Sequence, residues 1–113
     1  MSEINTVLVS EVHQLHSQMC EGLADPTRIL ILYSLAESPR NVGDLAEALG
    51  TLQPTISRHL KVLRERGMVI AERIGPAVRY SLADHRIIEA LDLLRAVMRD
   101  MYDRRAAVVN RAD

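Results

Sequence analysis

Apolar residues recur at helical spacing along most of this chain, with polar residues between them. Within residues 6–22 they predict a first helix, whose apolar face carries Leu8, Val12, Leu15 and Met19. Asp25 and Pro26 then suit the N-cap and the first position of a second helix. That helix, residues 26–36, is apolar on nearly every side, so we expect it to lie at the centre of the fold.

A short helix, a tight turn and an amphipathic helix come next. Asn41 suits the N-cap of a helix that ends at Leu49, and Gly50 suits the left-handed position that follows a helix end. After a three-residue turn, residues 53–66 again have helical periodicity. The narrow apolar stripe of this segment consists of Ile56, Leu60 and Leu63. This order of elements predicts a helix-turn-helix whose second helix has a polar and basic outer face.

Past Gly67 the spacing of apolar residues changes from helical to alternating. Residues 69–74 and 78–82 are rich in β-branched residues and are joined through Gly75-Pro76-Ala77, which predicts a β-hairpin. In the second strand the alternation turns Val78, Tyr80 and Leu82 inward and Arg79 and Ser81 outward. Arg73 and Arg79 flank the hairpin tip, where they could meet a phosphate or the minor groove of DNA.

The last predicted helix runs from about Asp84 to Ala106. Its apolar residues form a seam at 4-3-4-3 spacing, made of Ile87, Leu91, Leu94, Met98 and Met101. In a domain this small, the simplest arrangement packs this seam against the same helix of a second copy. The alternative is that the helix packs the seam against the core of its own chain. We predict a homodimer through this last helix.

The length of 113 residues suits a single domain, residues 1–113, with 1–6 and 107–113 expected to be frayed. The predicted fold class is mostly α with a small β-hairpin, in the order four helices, two strands and a fifth helix. The core must be aliphatic, because the chain has no Trp or Phe and its aromatic content is 3%.

The net charge of −1 hides an uneven distribution. Residues 53–86 hold seven cations and three anions, whereas residues 1–50 hold two cations and seven anions. A neutral chain with one basic block suits a specific binder of a polyanion, and the alternative is a solvated basic surface. No order of residues typical of an enzyme is present, so we expect no catalysis.

Other classes of protein are disfavoured by what the sequence lacks. The longest apolar run, 29–33, is far short of the roughly 20 residues that span a bilayer. The N-terminal residues have no secretory signal pattern, and the single cysteine, Cys20, excludes an intrachain disulfide. We therefore expect a soluble, cytoplasmic protein that does not interact with membranes.

The outer face of residues 53–66 carries the side chains that we expect to meet double-stranded DNA. Arg58 is the candidate for bidentate pairing with guanine, while Lys61 and Arg64 suit the phosphate backbone. His59 lies nearer the apolar stripe, so it either packs against the core or reaches a phosphate. The predicted DNA-binding set is Gln53, Thr55, Ser57, Arg58, His59, Lys61, Arg64, Arg73 and Arg79.

A stripe of soft or borderline metal ligands lies beside the apolar face of the first helix. It consists of His13, His16 and Cys20, at positions i, i+3 and i+7. These side chains could bind Zn(II), Ni(II) or Cu(I), and Met98 and Met101 could add thioethers for copper. The competing hypothesis is that all three simply pack, as free cysteines commonly do.

Four segments carry a family resemblance: LADPTRILILYSLAE (23–37), VGDLAEALG (42–50), QPTISRHLKVLRERGMV (53–69) and RYSLAD (79–84). With these segments the chain resembles the ArsR/SmtB family of winged-helix bacterial repressors over roughly residues 7–105. The resemblance implies a winged helix-turn-helix homodimer that binds a palindromic operator and represses nearby genes. It also implies that the first helix packs on the partner's last helix, which places Leu8, Val12 and Leu15 at the dimer interface. It also implies release by an effector, which is often a metal ion and in some members a thiol-reactive signal.

At the family's sensor positions this chain departs from the pattern. A Cys-x-Cys pair would fall on Asn41 and Gly43, so that thiolate site is absent. A second family site lies across the paired terminal helices of the dimer, and its pattern, Asp-x-His followed by His-x-x-Glu or His, falls on Asp84, Arg86, Val97 and Asp100. Both acids remain and both imidazoles are lost, so we interpret this site as broken unless His85 substitutes. The identity of an effector, and whether one exists, stays open.

One more departure lies at the start of the DNA-reading helix. The family usually has Leu-Ser before Gln-Pro, whereas this chain has Thr51-Leu52. Because a leucine side chain cannot accept a hydrogen bond from the helix amides, we expect Thr51 to take part of the capping role. Two alternatives to an effector-controlled repressor remain: a ligand-independent winged-helix regulator, and a winged-helix module that binds protein instead of DNA.

Overall fold

The computed structural model describes residues 5–112, with side chains described as far as Val109. These residues form five α-helices and a two-stranded antiparallel hairpin. The elements are α1 Thr6–Gln14, continued by a π-helical segment Leu15–Cys20, then α2 Pro26–Glu37, α3 Val42–Leu49, α4 Gln53–Glu65, β1 Val69–Ile74, β2 Ala77–Leu82 and α5 Arg86–Ala112. This order confirms the predicted fold class, a winged helix-turn-helix. No helix in residues 5–112 is both long and apolar enough to cross a membrane.

The core lies where α2, α3 and α4 meet the hairpin and the start of α5. The predicted stripe of α4, formed by Ile56, Leu60 and Leu63, is fully buried. The other fully buried large side chains are Ile31, Leu32, Leu45 and Met68. Burying an aliphatic side chain of this size stabilises a fold by about 1.5–3 kcal/mol. The stripe therefore holds one face of α4 firmly inside and leaves the opposite face free.

The predicted caps of α2 and α3 are confirmed. Asp25 Oδ1 accepts hydrogen bonds from the amides of Thr27 at 2.8 Å and Arg28 at 3.4 Å. Asn41 Oδ1 accepts one from the amide of Asp44 at 2.8 Å. Gly50 then ends α3 with φ 61°, a left-handed conformation that glycine adopts at little cost.

The predicted capping role of Thr51 is wrong. Its hydroxyl donates to the carbonyl of Leu49 at 3.2 Å, and its own amide donates to the carbonyl of Ala46 at 3.0 Å. Both bonds hold Thr51 to the end of α3. The N-cap of α4 is Leu52, which provides no side-chain hydrogen bond to the helix amides.

The first helix is not the single α-helix that was predicted for residues 6–22. After α1 the backbone widens into a π-helical segment, in which the amide of Glu21 bonds the carbonyl of His16 at 3.1 Å, five residues back. A π-turn holds more residues than an α-turn. Side chains after it are therefore rotated relative to the positions that an ideal α-helix predicts.

The hairpin is tighter than predicted. Ile74 pairs with Ala77, so Ala77 belongs to β2 and the loop is Gly75-Pro76 alone. Gly75 has φ 60°, which suits the first central residue of a two-residue hairpin turn. Arg40 and Tyr80 exchange two backbone hydrogen bonds, at 3.0 and 2.7 Å, and thereby tie β2 to the loop between α2 and α3.

The last helix starts and ends later than the sequence pattern predicted. It begins at Arg86 and continues through Ala112, so residues 107–112, which were expected to be frayed, are helical. At the other end Asn5 accepts a hydrogen bond from the amide of Leu8 at 2.8 Å and caps α1 at Thr6. The expected fraying of residues 1–4 and 113 lies outside the described residues.

Candidate nucleic-acid interface and terminal-helix face

The outward face of α4 carries exposed polar and basic side chains. Gln53, Ser57, Arg58, Lys61 and Arg64 are all exposed, and Thr55 is half-buried. Arg58 Nη2 donates to Thr55 Oγ1 at 3.3 Å, so these two side chains lie side by side near the start of the helix. Among residues 5–112, none of Arg58, Lys61 and Arg64 forms an ion pair with a carboxylate, so their charges are available to an outside anion.

The two arginines of the hairpin lie on opposite faces of the ribbon. The register pairs Arg73 with Val78 and Glu72 with Arg79. Directly paired residues share a face and neighbours along a strand alternate, so Arg73 lies on the Val78 face and Arg79 on the other. Both side chains are exposed near the tip. The predicted pair therefore reaches out from both sides of the wing instead of forming one patch.

His59 packs inward, so we remove it from the predicted DNA-facing set. Its side chain is 17% exposed, with Nε2 3.9 Å from Asp25 Oδ1 and Nδ1 3.4 Å from Arg28 Nη1. Arg28 Nε also donates to the carbonyl of Gly22 at 2.6 Å. The ring thus joins the middle of α4 to the start of α2, and the contacts that hold it lie more than thirty residues away in sequence.

The same cluster affects the carboxyl of Asp25. Burial raises the pKa of this carboxyl, but hydrogen bonds from the Thr27 and Arg28 amides and the nearby positive charges lower it by more. The net result is a pKa below the usual value, so Asp25 is ionised over the physiological range. An ionised carboxylate at the first turn of α2 also interacts favourably with the helix dipole.

The first helix and α5 both expose large apolar side chains, which together we call the terminal-helix face. Its exposed large side chains include Leu8, Val12, Leu15, Leu94, Val97, Met98 and Met101, which are between 46% and 64% exposed. Clusters of exposed large apolar side chains in soluble proteins often mark interaction surfaces. Beside it, a groove of about 550 Å³ separates the π-helical segment from α5.

Two residues of the predicted interface belong instead to the core of the single chain. Ile87 is 9% exposed and Leu91 is 7% exposed, and both pack in the core cluster. The 4-3-4-3 seam therefore divides: its first two positions anchor α5 to its own domain. The later positions, from Leu94 onward, are the ones left for a partner.

The proposed ligands His13, His16 and Cys20 are all exposed. In residues 5–112 of one chain, no three or more His, Cys, Asp or Glu side chains come together in a group that could hold a metal ion. The π-helical segment Leu15–Cys20 changes the i, i+3, i+7 alignment that an ideal α-helix would give these residues.

Asp84 is already engaged by an arginine. Arg86 Nη2 lies 2.7 Å from Asp84 Oδ2, and the Arg86 amide donates to Asp84 Oδ1 at 2.9 Å. The Arg86 hydrogen bonds lower the pKa of this carboxyl to about 2. Asp100 lies roughly 20 Å further along α5, from the rise of 1.5 Å per residue, so one chain cannot join the two acids at one ion. One chain alone therefore does not form this site, which the family pattern places across two paired terminal helices, and the interpretation of the site as broken stays a prediction.

Sequence reasoning missed two polar links between distant elements. The hydroxyl of Tyr33 on α2 donates to Asp92 on α5 at 2.6 Å, beside the Arg95 guanidinium, which lies 5.3 Å from the ring centroid. Arg66, counted above within the basic block, turns its guanidinium toward the carbonyls of the π-helical segment. These links join residues 45 or more positions apart, and no local pattern predicts them.

Comparison with known proteins identifies related regulators. The family described as bacterial regulatory protein, arsR family, matches residues 25–71. The HTH-type transcriptional regulator NmtR of Mycobacterium tuberculosis is 43% identical over 72 residues, which are 64% of this chain and 60% of NmtR. The chain thus spans about three fifths of the length of that relative.

Another relative matches over almost its whole length. The uncharacterized HTH-type transcriptional regulator Rv0081 of M. tuberculosis is 37% identical over 99 residues, 87% of each chain. Its crystal structure has a TM-score of 0.72 with 33% identity, covering 91% of this chain and 99% of that one. The solution structure of the homodimeric winged helix-turn-helix DNA-binding domain of Mb0332 from Mycobacterium bovis has a TM-score of 0.74 with 26% identity, covering 91% and 94%.

Proposed function

This chain belongs to the arsR family of bacterial regulatory proteins, and we propose that it is a homodimeric, DNA-binding transcriptional repressor. The observation that carries the proposal is the division of α4 into two faces. Ile56, Leu60 and Leu63 are fully buried, and the opposite face presents exposed hydrogen-bonding and basic groups. A helix held in this way suits insertion into the major groove of B-DNA.

The side chains of α4 have distinct parts in this proposal. Arg58 reads a base, because its guanidinium can pair bidentately with O6 and N7 of guanine. Gln53, Thr55 and Ser57, near the helix start, add hydrogen bonds to base edges or phosphates. Lys61 and Arg64 neutralise the phosphate backbone, which positions the protein without reading sequence. Arg73 and Arg79 extend the contact from the wing.

The terminal-helix face supplies the dimer interface. Large apolar side chains on both terminal helices are exposed to solvent in the single chain: Leu8, Val12 and Leu15 on the first helix and Leu94, Met98 and Met101 on α5. A second copy of the chain provides a surface of the same character, and an isologous pairing buries both at once. The homodimeric state of the Mb0332 domain supports this assignment. Two copies of α4 then meet the two halves of a palindromic operator.

The regulator that we propose does not depend on a metal site within one chain. For a metal that releases the protein from DNA, we propose His13, His16 and Cys20 as ligands, completed by residues of the second chain. The test is release from the operator across a panel of Zn(II), Ni(II), Cu(I) and thiol oxidants. If a metal acts there, His13→Ala and Cys20→Ser abolish release and retain DNA binding. Unchanged metal affinity in both variants excludes the stripe.

DNA binding itself is tested by selection from a random duplex library, followed by titration of the selected site at several salt concentrations. A specific repressor should select a palindrome and show a steeply negative dependence of log K on log salt, with a slope on the order of −5. A protein-binding winged-helix module would select no sequence and show no such slope. That result would overturn the proposal.

A further inference from the structure

Arg66 immediately follows α4 and contacts the π-helical segment instead of facing outward. Its Nη1 donates to the carbonyl of Ser17 and, at 3.1 Å, to the carbonyl of Gln18. Its Nη2 lies 3.4 Å from Glu21 Oε2, and Gln18 Nε2 donates back to the Arg66 carbonyl at 3.4 Å. The Arg66 side chain is 29% exposed as a result.

The π-helical geometry explains why the Ser17 carbonyl is available to accept a hydrogen bond from Arg66. In an α-helix the amide of Glu21 would bond the carbonyl of Ser17, four residues back. Here that amide bonds the carbonyl of His16 instead, and the Arg66 guanidinium supplies a donor to Ser17. The Arg66 guanidinium thus supplies the hydrogen bond that the widened turn leaves missing at the Ser17 carbonyl.

A close apolar contact lies beside these hydrogen bonds. Gly22 is buried, and a Cβ built on it would overlap the Cε methyl of Met68 and crowd Arg66 Cδ. Met68 is itself fully buried at the start of the wing. The end of α4 and the end of the first helix therefore meet in a joint that combines charge-assisted hydrogen bonds with tight packing.

We propose that Arg66 is a positioning residue for DNA binding. It fixes the C-terminal end of α4 to the π-helical segment, and so sets the angle of α4 relative to the terminal-helix face. Two copies of α4 meet successive major grooves only if that angle is correct in both protomers. Arg66 acts through this joint and not by neutralising a phosphate, although it belongs to the basic block in sequence. This inference rests on the proposed DNA-binding function.

The test compares Arg66→Gln with Arg64→Gln, an exposed arginine two residues away on α4. Binding of the selected operator is titrated at several salt concentrations. Arg66→Gln should weaken binding about tenfold, the scale of one lost charge-assisted hydrogen bond, with the salt slope unchanged. Arg64→Gln should reduce the magnitude of the slope by about one per protomer, as expected for a lost phosphate contact. A fall of the slope in Arg66→Gln, or an affinity within about twofold of wild type, would overturn the proposal.

Arg66→Lys separates geometry from charge. Lysine keeps the positive charge but lacks the planar fork that reaches two carbonyls and a carboxylate together. We therefore expect Arg66→Lys to resemble Arg66→Gln, whereas a phosphate contact would largely survive the change. Gln18→Ala, which removes only the reciprocal bond, provides a milder variant if Arg66→Gln does not fold. It should weaken binding in the same direction, and wild-type affinity in Gln18→Ala would then count against the joint.

Hydrogen exchange supplies a readout that does not require DNA. In Arg66→Gln the amides of residues 19–24 should exchange faster than in wild type, and in Arg64→Gln they should not. If wild-type protein binds no DNA while this difference appears, the proposed function fails and the joint stands. If wild-type protein binds DNA and the exchange and affinity of Arg66→Gln are unchanged, the joint fails and the proposed function stands.

Discussion

The hydroxyl of Tyr33 donates a 2.6 Å hydrogen bond to Asp92 and thereby connects the central helix α2 to the terminal helix α5. Arg95 stacks over the same ring and lies 3.4 Å from both Asp92 Oδ1 and the tyrosine oxygen. Burial and the bond to Asp92 raise the pKa of the Tyr33 hydroxyl, so it stays protonated as the donor. Because α5 also carries the exposed part of the terminal-helix face, this link helps to fix that face relative to the core.

Tyr33→Phe should lower the free energy of unfolding by about 1 kcal/mol, since a hydrogen bond to a carboxylate is lost at a site that solvent partly screens. Urea denaturation measures the change. Tyr102→Phe is the matched control. Tyr102 lies on α5, is 60% exposed and forms no hydrogen bond to a carboxylate among the described contacts. Equal stability of the two variants would contradict the assignment.

Local sequence patterns correctly predicted the features that depend on neighbouring residues, such as the periodicity of a helix and its capping residues. The buried stripe of α4 followed from the spacing of Ile56, Leu60 and Leu63, and the caps at Asp25 and Asn41 followed from residue type and position. Each of these depends on residues within one or two turns, where periodicity and capping preferences are informative.

The features that were missed depend on distant residues or on competing local bonds. The π-helical segment is satisfied by Arg66, 48 and 49 residues away, so no periodicity in residues 6–22 could reveal it. His59 turned out to be held by Asp25 and Arg28, which a helical wheel of α4 does not include. Thr51 had two possible partners, and the carbonyl at the end of α3 was preferred to the amides of α4.

Arg58→Ala should weaken binding of the selected operator by about 1–3 kcal/mol and relax the preference at one base pair in each half-site. The reason is that Arg58 is exposed near the start of α4, where a recognition helix contacts base edges. Binding to a set of single-base operator variants measures the effect. Lys61→Ala is the comparison, and it should weaken all sequences about equally. A uniform loss in Arg58→Ala would move Arg58 to the phosphate backbone.

The ion pair at the start of α5 predicts a pH dependence of stability. Hydrogen bonds from Arg86 lower the pKa of Asp84 from 3.8 to about 2 in the folded protein. A lowered carboxyl pKa contributes stability that is present above the unfolded pKa and is lost as the pH falls through the folded value. Near neutral pH the wild-type protein should therefore have a higher melting temperature than Arg86→Gln. The difference in melting temperature should disappear as the pH falls from about 4 to about 2.

Arg99→Gln is the matched control for that experiment. Arg99 is an exposed arginine on the same helix and has no ion pair among the described residues. The melting temperature of Arg99→Gln should equal that of wild type at every pH. A gap between wild type and Arg86→Gln that persists unchanged below about pH 2 would show that the Arg86 contribution does not depend on the charge of Asp84.

Met98→Glu should convert the dimer into a monomer. Met98 lies in the middle of the exposed part of the seam, between Leu94 and Met101, and is 49% exposed in the single chain. In an isologous dimer the substitution places two like charges in an apolar contact, and neither carboxylate gains a partner. Sedimentation velocity measures the mass. Ile70→Glu puts the same charge on an equally exposed apolar residue of the wing, 52% exposed, and should remain dimeric. If Met98→Glu also remains dimeric and folded, the interface lies elsewhere than the terminal-helix face.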